Sequence, residues 1–267
     1  MRLDELVEST ARRFRAAKLH YGHGTTNAQD EAAFLVLRGS GLSFEAARTL
    51  EVTAERQKRI ESLIRKRIEK RIPLPYLLNE AWLDGRSFYV DRRVIIPRSH
   101  IAFMLKRLGK PKRVLDLCTG SGCLAILAAY AFPRAQVDAS DLSQDALDVA
   151  TKNVRQHRLQ KRIRPVRSDL FESIRGEYDL IVTNPPYVGA SAMRKLPAEY
   201  RYEPGLALAG GKDGLSLVKK ILEEAPAHLS PGGRLVCEVG DGRRGLARDR
   251  RLLWPADEVL VYRKKVG

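Results

Sequence analysis

Apolar and polar positions in roughly the first 75 residues recur at helical spacing. Between Glu55 and Lys70, Ile60, Leu63, Ile64 and Ile68 fall on one stripe, and arginine and lysine fill the other faces, which predicts an amphipathic helix. Pro73 and Pro75 end it, because a proline inside would lose a hydrogen bond and clash. Gly22-His23-Gly24-Thr25-Thr26-Asn27 predicts a turn, with Thr26 or Asn27 capping a helix over Ala28–Arg38. From Ala81 to Ile96 the pattern changes. Phe88-Tyr89-Val90 and Val94-Ile95-Ile96 flank Asp91-Arg92-Arg93, predicting two strands around a tight turn.

After Pro97, a helix is expected over about His100–Leu108, and from Arg113 short β-rich runs alternate with helical ones. The strands are Val114–Leu117, Gln136–Ser140, Ile163–Val166, Leu180–Thr183 and Arg234–Val239. The helices are Ser121–Ala131, Ser143–His157 and Leu215–His228. Such alternation predicts an α/β fold, a parallel sheet with helices on both faces joined by right-handed crossovers. The expected organisation is a helical domain over 1–75, a β-hairpin linker and connecting helix over 76–109, and the α/β domain over 110–267. There are no internal repeats and no low-complexity segments.

Composition and charge add to this picture. With 44% hydrophobic and 30% charged residues, the chain reads as a soluble globular protein. Its longest apolar run, Leu124–Phe132, is far short of the ~20 residues that span a bilayer. The charges of Met1-Arg2-Leu3-Asp4-Glu5 stand where a signal peptide carries its apolar segment, so a cytoplasmic location and no membrane partner are expected. Cys118, Cys123 and Cys237 have spacings that suit neither a disulfide framework nor a zinc site, and read as small buried residues in a reducing compartment. The net charge of +16 favours polyanions and predicts contact with RNA or a ribonucleoprotein. Arg65, Lys66, Arg67, Lys70 and Arg71 of the N-terminal helices are the candidates for that contact.

The first candidate site follows the strand Val114-Leu115-Asp116-Leu117, which runs into Cys118-Thr119-Gly120-Ser121-Gly122 and a helix. Gly120 and Gly122 let the backbone approach a ligand and supply torsions that other residues resist. Phosphate-binding loops look similar, but no Gly-Lys-Ser/Thr follows, which argues against a nucleoside triphosphate. Asp141 ends the next strand, 25 residues after Asp116, placed to accept hydrogen bonds from two ribose hydroxyls. That spacing fits a dinucleotide or S-adenosylmethionine; capping the following helix is the plainer alternative for Asp141. Asp169, in Ser168-Asp169-Leu170, follows the third strand where an adenine edge would lie, unless it is only a turn aspartate.

The decisive motif is Leu180-Ile181-Val182-Thr183-Asn184-Pro185-Pro186-Tyr187. Prolines have no N–H and a fixed φ, and the residue before a proline is confined to extended torsions. The product is a rigid pair of acceptors, the Asn184 side-chain oxygen and the Pro185 carbonyl, suited to a planar amino group with two N–H donors. Tyr187 supplies an aromatic face for a flat substrate group. An amide nitrogen is a poor nucleophile because its lone pair is delocalised. Holding both its hydrogens on acceptors aims it at a sulfonium methyl and favours the pyramidal nitrogen of the transition state. Fixed carbonyl dipoles stabilise the positive charge arriving there, and positioning alone contributes ~7–11 kcal/mol. No metal, histidine or covalent nucleophile is required.

Together, Asp116-Leu117-Cys118-Thr119-Gly120-Ser121-Gly122-Cys123, Gly22-His23-Gly24-Thr25, Ile96-Pro97-Arg98-Ser99, Asn184-Pro185-Pro186-Tyr187 and Glu199-Tyr200-Arg201-Tyr202-Glu203-Pro204 resemble the HemK-like glutamine N5-methyltransferases, most closely the PrmB branch. The resemblance covers most of the chain. It implies a helical substrate-recognition domain, a β-hairpin and a class I, Rossmann-like methyltransferase domain using S-adenosyl-L-methionine. It also implies a glutamine substrate in the large-subunit ribosomal protein L-three; since a strongly basic enzyme repels a free basic protein, the net charge predicts that this substrate is met in an assembling ribonucleoprotein.

Carried over residue by residue, Asp116, Cys118, Thr119, Gly120, Ser121, Gly122, Asp141 and Asp169 would hold the cofactor, with Leu170 beside its adenine. Asn184, Pro185, Pro186 and Tyr187 would hold the glutamine, Asn184 touching cofactor and substrate; Asn184, Pro185 and Tyr187 would be catalytic. His100 stands where the branch commonly has proline, and Gly205 where it commonly has an acidic residue. The stretch after Gly240 is short for a last helix and strand pair, and predicts a shortened pair, Leu252–Trp254 and Val259–Arg263, around Pro255-Ala256-Asp257. Three readings compete: an adenine N6-methyltransferase, whose flipped base also presents two N–H donors; the release-factor-modifying branch; and an assembly factor that binds S-adenosylmethionine without turnover.

Overall fold

The computed structural model describes residues 1–42, 49–240, 243–246, 249, 252–256 and 258–265. It divides into two units, one of Met1–Ala81 with Pro197–Tyr202, the other of Trp82–Leu196 with Glu203–Gly267.

In the first unit, helices α1 (Leu3–Ala16), α2 (Ala28–Gly39), α3 (Ala54–Lys70) and α4 (Leu74–Leu78) enclose a core that includes Phe14, Leu35, Val36, Ile60 and Ile64. Asn27 caps α2 by accepting the Asp30 N–H at 2.9 Å. The α3 stripe is buried at Ile60, Leu63 and Ile64 and half-buried at Ile68. Pro73 and Pro75 do more than end a helix: α3 stops at Arg71, whose φ is 57°, and the prolines open α4, where a missing N–H costs nothing.

Arg67 corrects an expectation. It lies seven residues after Ile60, on the apolar stripe, and is 1% exposed. Its guanidinium meets Glu31 at 2.6 Å and Glu199 at 3.3 Å and donates to the His20 carbonyl at 2.8 Å. Arg71 donates to the carbonyls of Lys18 and Ala17, each at 3.0 Å. Arg67 staples the fold and is not offered to a polyanion; Arg71 is half-buried, and Arg65, Lys66 and Lys70 are exposed.

The second unit opens with a hairpin, β1 (Ala81–Leu83) and β2 (Arg86–Phe88), earlier than expected. Asp84 and Gly85 both have positive φ, 46° and 71°, the two-residue Asp-Gly turn whose twist matches the strands it joins. The expected pair around Asp91–Arg93 does not form. There the Asp91 carboxylate takes the Arg93 N–H and the Tyr89 hydroxyl, each at 3.0 Å, and the flanking residues stay outside any ladder. The helix after Pro97 is also shorter than expected, α5 (Ile101–Met104) followed by a 3-10 turn to Arg107.

Then come β3 (Arg113–Leu117), α6 (Cys123–Ala131), β4 (Gln136–Asp141), α7 (Gln144–Gln156), β5 (Ile163–Arg167), β6 (Tyr178–Thr183), α8 (Ala190–Met193), α9 (Ser216–Glu224), β7 (Leu229–Glu238), α10 (Arg243–Leu246), β8 (Leu252–Ala256) and β9 (Val259–Arg263). They build a seven-stranded sheet in the order β5-β4-β3-β6-β7-β9-β8. The first five run parallel; β9 pairs antiparallel with β7 and with β8. The expected C-terminal pair is therefore present, with Asp257 of its turn outside the described residues. Successive strand residues feed opposite cores. Val114, Leu180 and Val182 pack on the side of α6, while Leu115, Ile181 and Leu235 pack on the side of α9. Strand order reverses at β3, so the carboxyl ends of β3, β4 and β6 open a crevice, the place where open α/β sheets bind ligands. No described helix is long and apolar enough to cross a membrane.

Candidate active site

Above the carboxyl ends of β3, β4, β5 and β6 lies a cleft lined wholly by residues of the second unit. Its floor is the glycine turn. The Thr119 N–H donates to the Ser140 carbonyl at 2.8 Å, tying the turn to β4. Gly122 starts α6 at φ 79°, and a Cβ there would lie 3.1 Å from the Ala150 Cβ of α7, so the turn needs glycine twice over. Asp116 braces it from beneath. Its Oδ2 accepts the Thr119 hydroxyl at 2.5 Å and the Ala125 N–H at 2.9 Å. Its Oδ1 is buried without a partner among the described residues, and burial pushes the carboxyl up to about 7.

Asp141 closes the wall between β3 and β4. Its Oδ2 accepts the Gly120 N–H and its Oδ1 the Ser143 N–H, each at 2.9 Å. Burial raises its carboxyl above the ordinary range, against backbone donation from Ser143, Gly120 and Leu142. The lone pairs left over on the carboxylate suit a ribose diol. The Ser143 side chain, not Asp141, caps α7, by accepting the Ala146 N–H at 3.2 Å. Leu142, Leu170 and Ile95 give the cleft apolar walls, and Asp169 adds an exposed carboxylate. Leu170 has φ 43°, and its carbonyl accepts the Ser168 hydroxyl at 2.7 Å. An acceptor pair beside an apolar slot, over a turn whose Gly122 leaves no room for a Cβ, fits a nucleoside.

Opposite, β6 delivers Asn184. Its Nδ2 donates to the Arg98 carbonyl at 3.1 Å, which turns Oδ1 into the side chain's acceptor; no described residue donates to it. Pro186 lines the cleft, whereas Pro185 is buried and Tyr187 half-buried behind it. The motif is cradled by glycines far along the chain. A Cβ on Gly210 would stand 2.6 Å from the Tyr187 Cα and 2.8 Å from the Pro186 carbonyl oxygen, and one on Gly240 2.7 Å from the Tyr187 ring. Val188 and Gly210 hold this return by backbone bonds, Val188 N–H to the Leu208 carbonyl and Gly210 N–H to the Val188 carbonyl, at 2.8 and 2.9 Å.

Of the residues expected in the site, the structure brings Cys118, Gly120, Asp141, Asp169, Leu170, Asn184 and Pro186 to the cleft surface. Asp116, Thr119, Ser121, Gly122, Pro185 and Tyr187 stand behind it and shape it. Sequence reading missed Ile95, Leu142, Leu206, Ala207 and Leu217 on the walls, and Gly210 and Gly240 behind Tyr187. Leu142 was within reach of it, next to Asp141. Leu206 and Gly210 carry no local signal.

The sheet, the turn after its first strand and the cleft define the class I methyltransferase fold, and the protein is an enzyme of that class. The family described as "Methyltransferase small domain" matches residues 100–198. A methyltransferase crystal structure from Pyrococcus furiosus shares the fold at a TM-score of 0.51 and 21% identity, over 80% of this chain and 100% of that one. Two relatives called "Ribosomal protein uL3 glutamine methyltransferase" are much closer in sequence. That from Bordetella pertussis is 49% identical over 253 residues, 90% of this chain and 85% of its own. That from Bradyrhizobium diazoefficiens is 49% identical over 259 residues, 90% of this chain and 81% of its own. The chain belongs to the ribosomal protein uL3 glutamine methyltransferase family.

Proposed function

We propose that this enzyme transfers a methyl group from S-adenosylmethionine to the side-chain amide nitrogen, N5, of a glutamine in ribosomal protein uL3. The observation that carries this reading is the state of Asn184. Its own N–H₂ is committed to the Arg98 carbonyl, so it meets the cleft as an acceptor, beside two prolines that offer no N–H.

S-adenosylmethionine supplies a methyl group activated on a sulfonium. Asp141 would accept from its ribose hydroxyls, Leu142 and Leu170 would flank its adenine, and Asp169 would lie at the adenine's edge. Asn184 Oδ1 and the Pro185 carbonyl accept the two hydrogens of the glutamine amide. With both N–H bonds held, the amide plane cannot rotate and the nitrogen faces the donor. As that nitrogen loses resonance and gains positive charge, the two oxygens are already oriented to stabilise it, without reorganisation at the moment of transfer; the N–C bond forms as the sulfonium S–C bond breaks, the demethylated thioether leaves, and the nitrogen gives up one proton to water. The Tyr187 ring, backed by Gly240, supports the flat amide from behind.

The first unit is the substrate-recognition body in this reading, working in the cytoplasm on uL3 within an assembling particle. Its exposed Arg65, Lys66 and Lys70 contact ribosomal RNA. A net charge of +16 repels a free basic protein, and RNA between the two relieves that repulsion. The test is incubation with labelled donor and total ribosomal material. Label that survives ribonuclease, is lost to protease and forms less readily as salt rises supports the reading; label lost to ribonuclease refutes it.

A further inference from the structure

Asn184 can discriminate and orient an amide only while its own amide plane is fixed. The group that fixes it, the Arg98 carbonyl, lies 86 residues earlier in the chain. That carbonyl belongs to Ile96-Pro97-Arg98-Ser99, which is in neither helix nor strand, so no backbone ladder determines where it points. Side chains must do so, and two buried carboxylates take that place.

Glu203, whose side chain is fully buried, grips the stretch upstream of the carbonyl. It pairs with the Arg98 guanidinium through both oxygens, at 2.8 and 2.5 Å, and Oε1 also accepts the Ile96 N–H at 3.0 Å. Glu238, at the carboxyl end of β7, grips it downstream. It accepts the Ser99 hydroxyl and, at 3.2 Å, the Ile101 N–H. Between the two clamps lie only the Arg98 carbonyl and the Ser99 backbone, with Pro97 stiffening the approach. A two-oxygen grip on a guanidinium sets direction as well as distance. Burying a carboxylate is costly unless it is fully paired, and these two buried carboxylates bracket the Arg98–Ser99 peptide from either side.

We infer that Glu203 and Glu238 are positioning residues for methyl transfer: they fix the Arg98 carbonyl and, through it, the Asn184 amide. This rests on the role proposed above for Asn184. Neither carboxylate lines the cleft. Their loss therefore acts on turnover, since a displacement of about 1 Å of a positioning group costs up to ~10²-fold in rate.

The test is a double-mutant cycle on the full-length enzyme, with labelled donor and ribosomal material as substrate, and with donor affinity measured separately by calorimetry. Glu203→Gln keeps the shape and an acceptor for the Ile96 N–H but loses the charged grip. It should lower kcat about tenfold, leave KM and donor affinity within about twofold, and be partly matched by Arg98→Lys, which keeps one charged contact. Combined with Asn184→Ala, Glu203→Gln should add less than about twofold, because the group it positions is gone. Glu238→Gln should behave alike. If Glu203→Gln does not yield folded protein, judged by donor binding, Arg98→Lys carries the same cycle. The inference is overturned if Glu203→Gln keeps the wild-type kcat, or lowers it by the same factor with and without Asn184. If Asn184→Ala alone keeps the wild-type rate, the proposed role of Asn184 fails first, and this inference with it.

Discussion

The two walls of the cleft are built by opposite strategies. On the nucleoside side, the functional groups are held within the stretch from β3 to just past β5, by partners no more than 21 residues away. Asp141 is bonded to Gly120 and Ser143, Asp116 to Thr119 and Ala125, and Ser168 to Leu170. On the amide side, the partners are distant: Asn184 rests on Arg98, and Tyr187 is packed by Gly210 and Gly240. A locally braced wall is insulated from variation elsewhere in the chain. A wall assembled from remote segments can be retuned to a different substrate without touching the donor site.

The comparison is broken most severely at Asn184. Asn184→Ala should lower kcat by at least ~10²-fold, by analogy with loss of an oxyanion-hole donor, while donor affinity changes little. Single-turnover transfer of labelled methyl measures it; retention of more than about a tenth of the rate removes Asn184 from the chemistry. The mirror experiment is Asp141→Ala. It should weaken donor binding by ~1.5–3 kcal/mol, roughly ten- to a hundredfold, and largely spare kcat at saturating donor. Calorimetry showing unchanged affinity in a folded variant contradicts the assignment.

Gly210→Ala sharpens the contrast, because the collision is with backbone and no rotamer relieves it. About a tenfold loss of turnover with donor affinity intact is expected, from the range of overpacking costs. Equal loss on both sides of the cleft would show that the walls are not independent.

The last effect falls on folding stability and not on rate, at Asp116. Its folded-state carboxyl lies at about 7 against an ordinary 3.8, so the folded form holds a proton that the unfolded chain releases. The contribution is fully present below about 3.8 and is lost as pH rises through about 7. Between pH 5 and 7 stability should fall by up to ~1.4 kcal/mol per pH unit from this group. Asp116→Asn should flatten that slope; denaturant melts at several pH values decide, and an unchanged slope places the proton elsewhere.

What sequence reading recovered follows the same division. Strands and helices from Arg113 onward are legible because hydrophobic periodicity is a local signal, and so are Asp141 and Asn184 at strand ends. The hairpin was misplaced because β-branched and aromatic runs around Asp91–Arg93 outweighed Asp84-Gly85, the stronger turn signal. Arg67 reads in the sequence as a candidate for RNA contact because its acid partners, Glu31 and Glu199, are 36 and 132 residues away. Glu203, Gly210 and Gly240 were invisible as site-builders for the same reason: their partners are defined only once the chain has folded.

The central claim, that Asn184 holds a glutamine amide for methylation, is tested most directly by tandem mass spectrometry of uL3. The substrate is assembling ribosomal particles treated with S-adenosylmethionine and either wild-type enzyme or Asn184→Ala. The account predicts one added methyl on the side-chain nitrogen of a single glutamine with the wild-type enzyme, and almost none with the variant. A methyl on another residue type, on RNA, or on the same glutamine at equal yield with Asn184→Ala would contradict it.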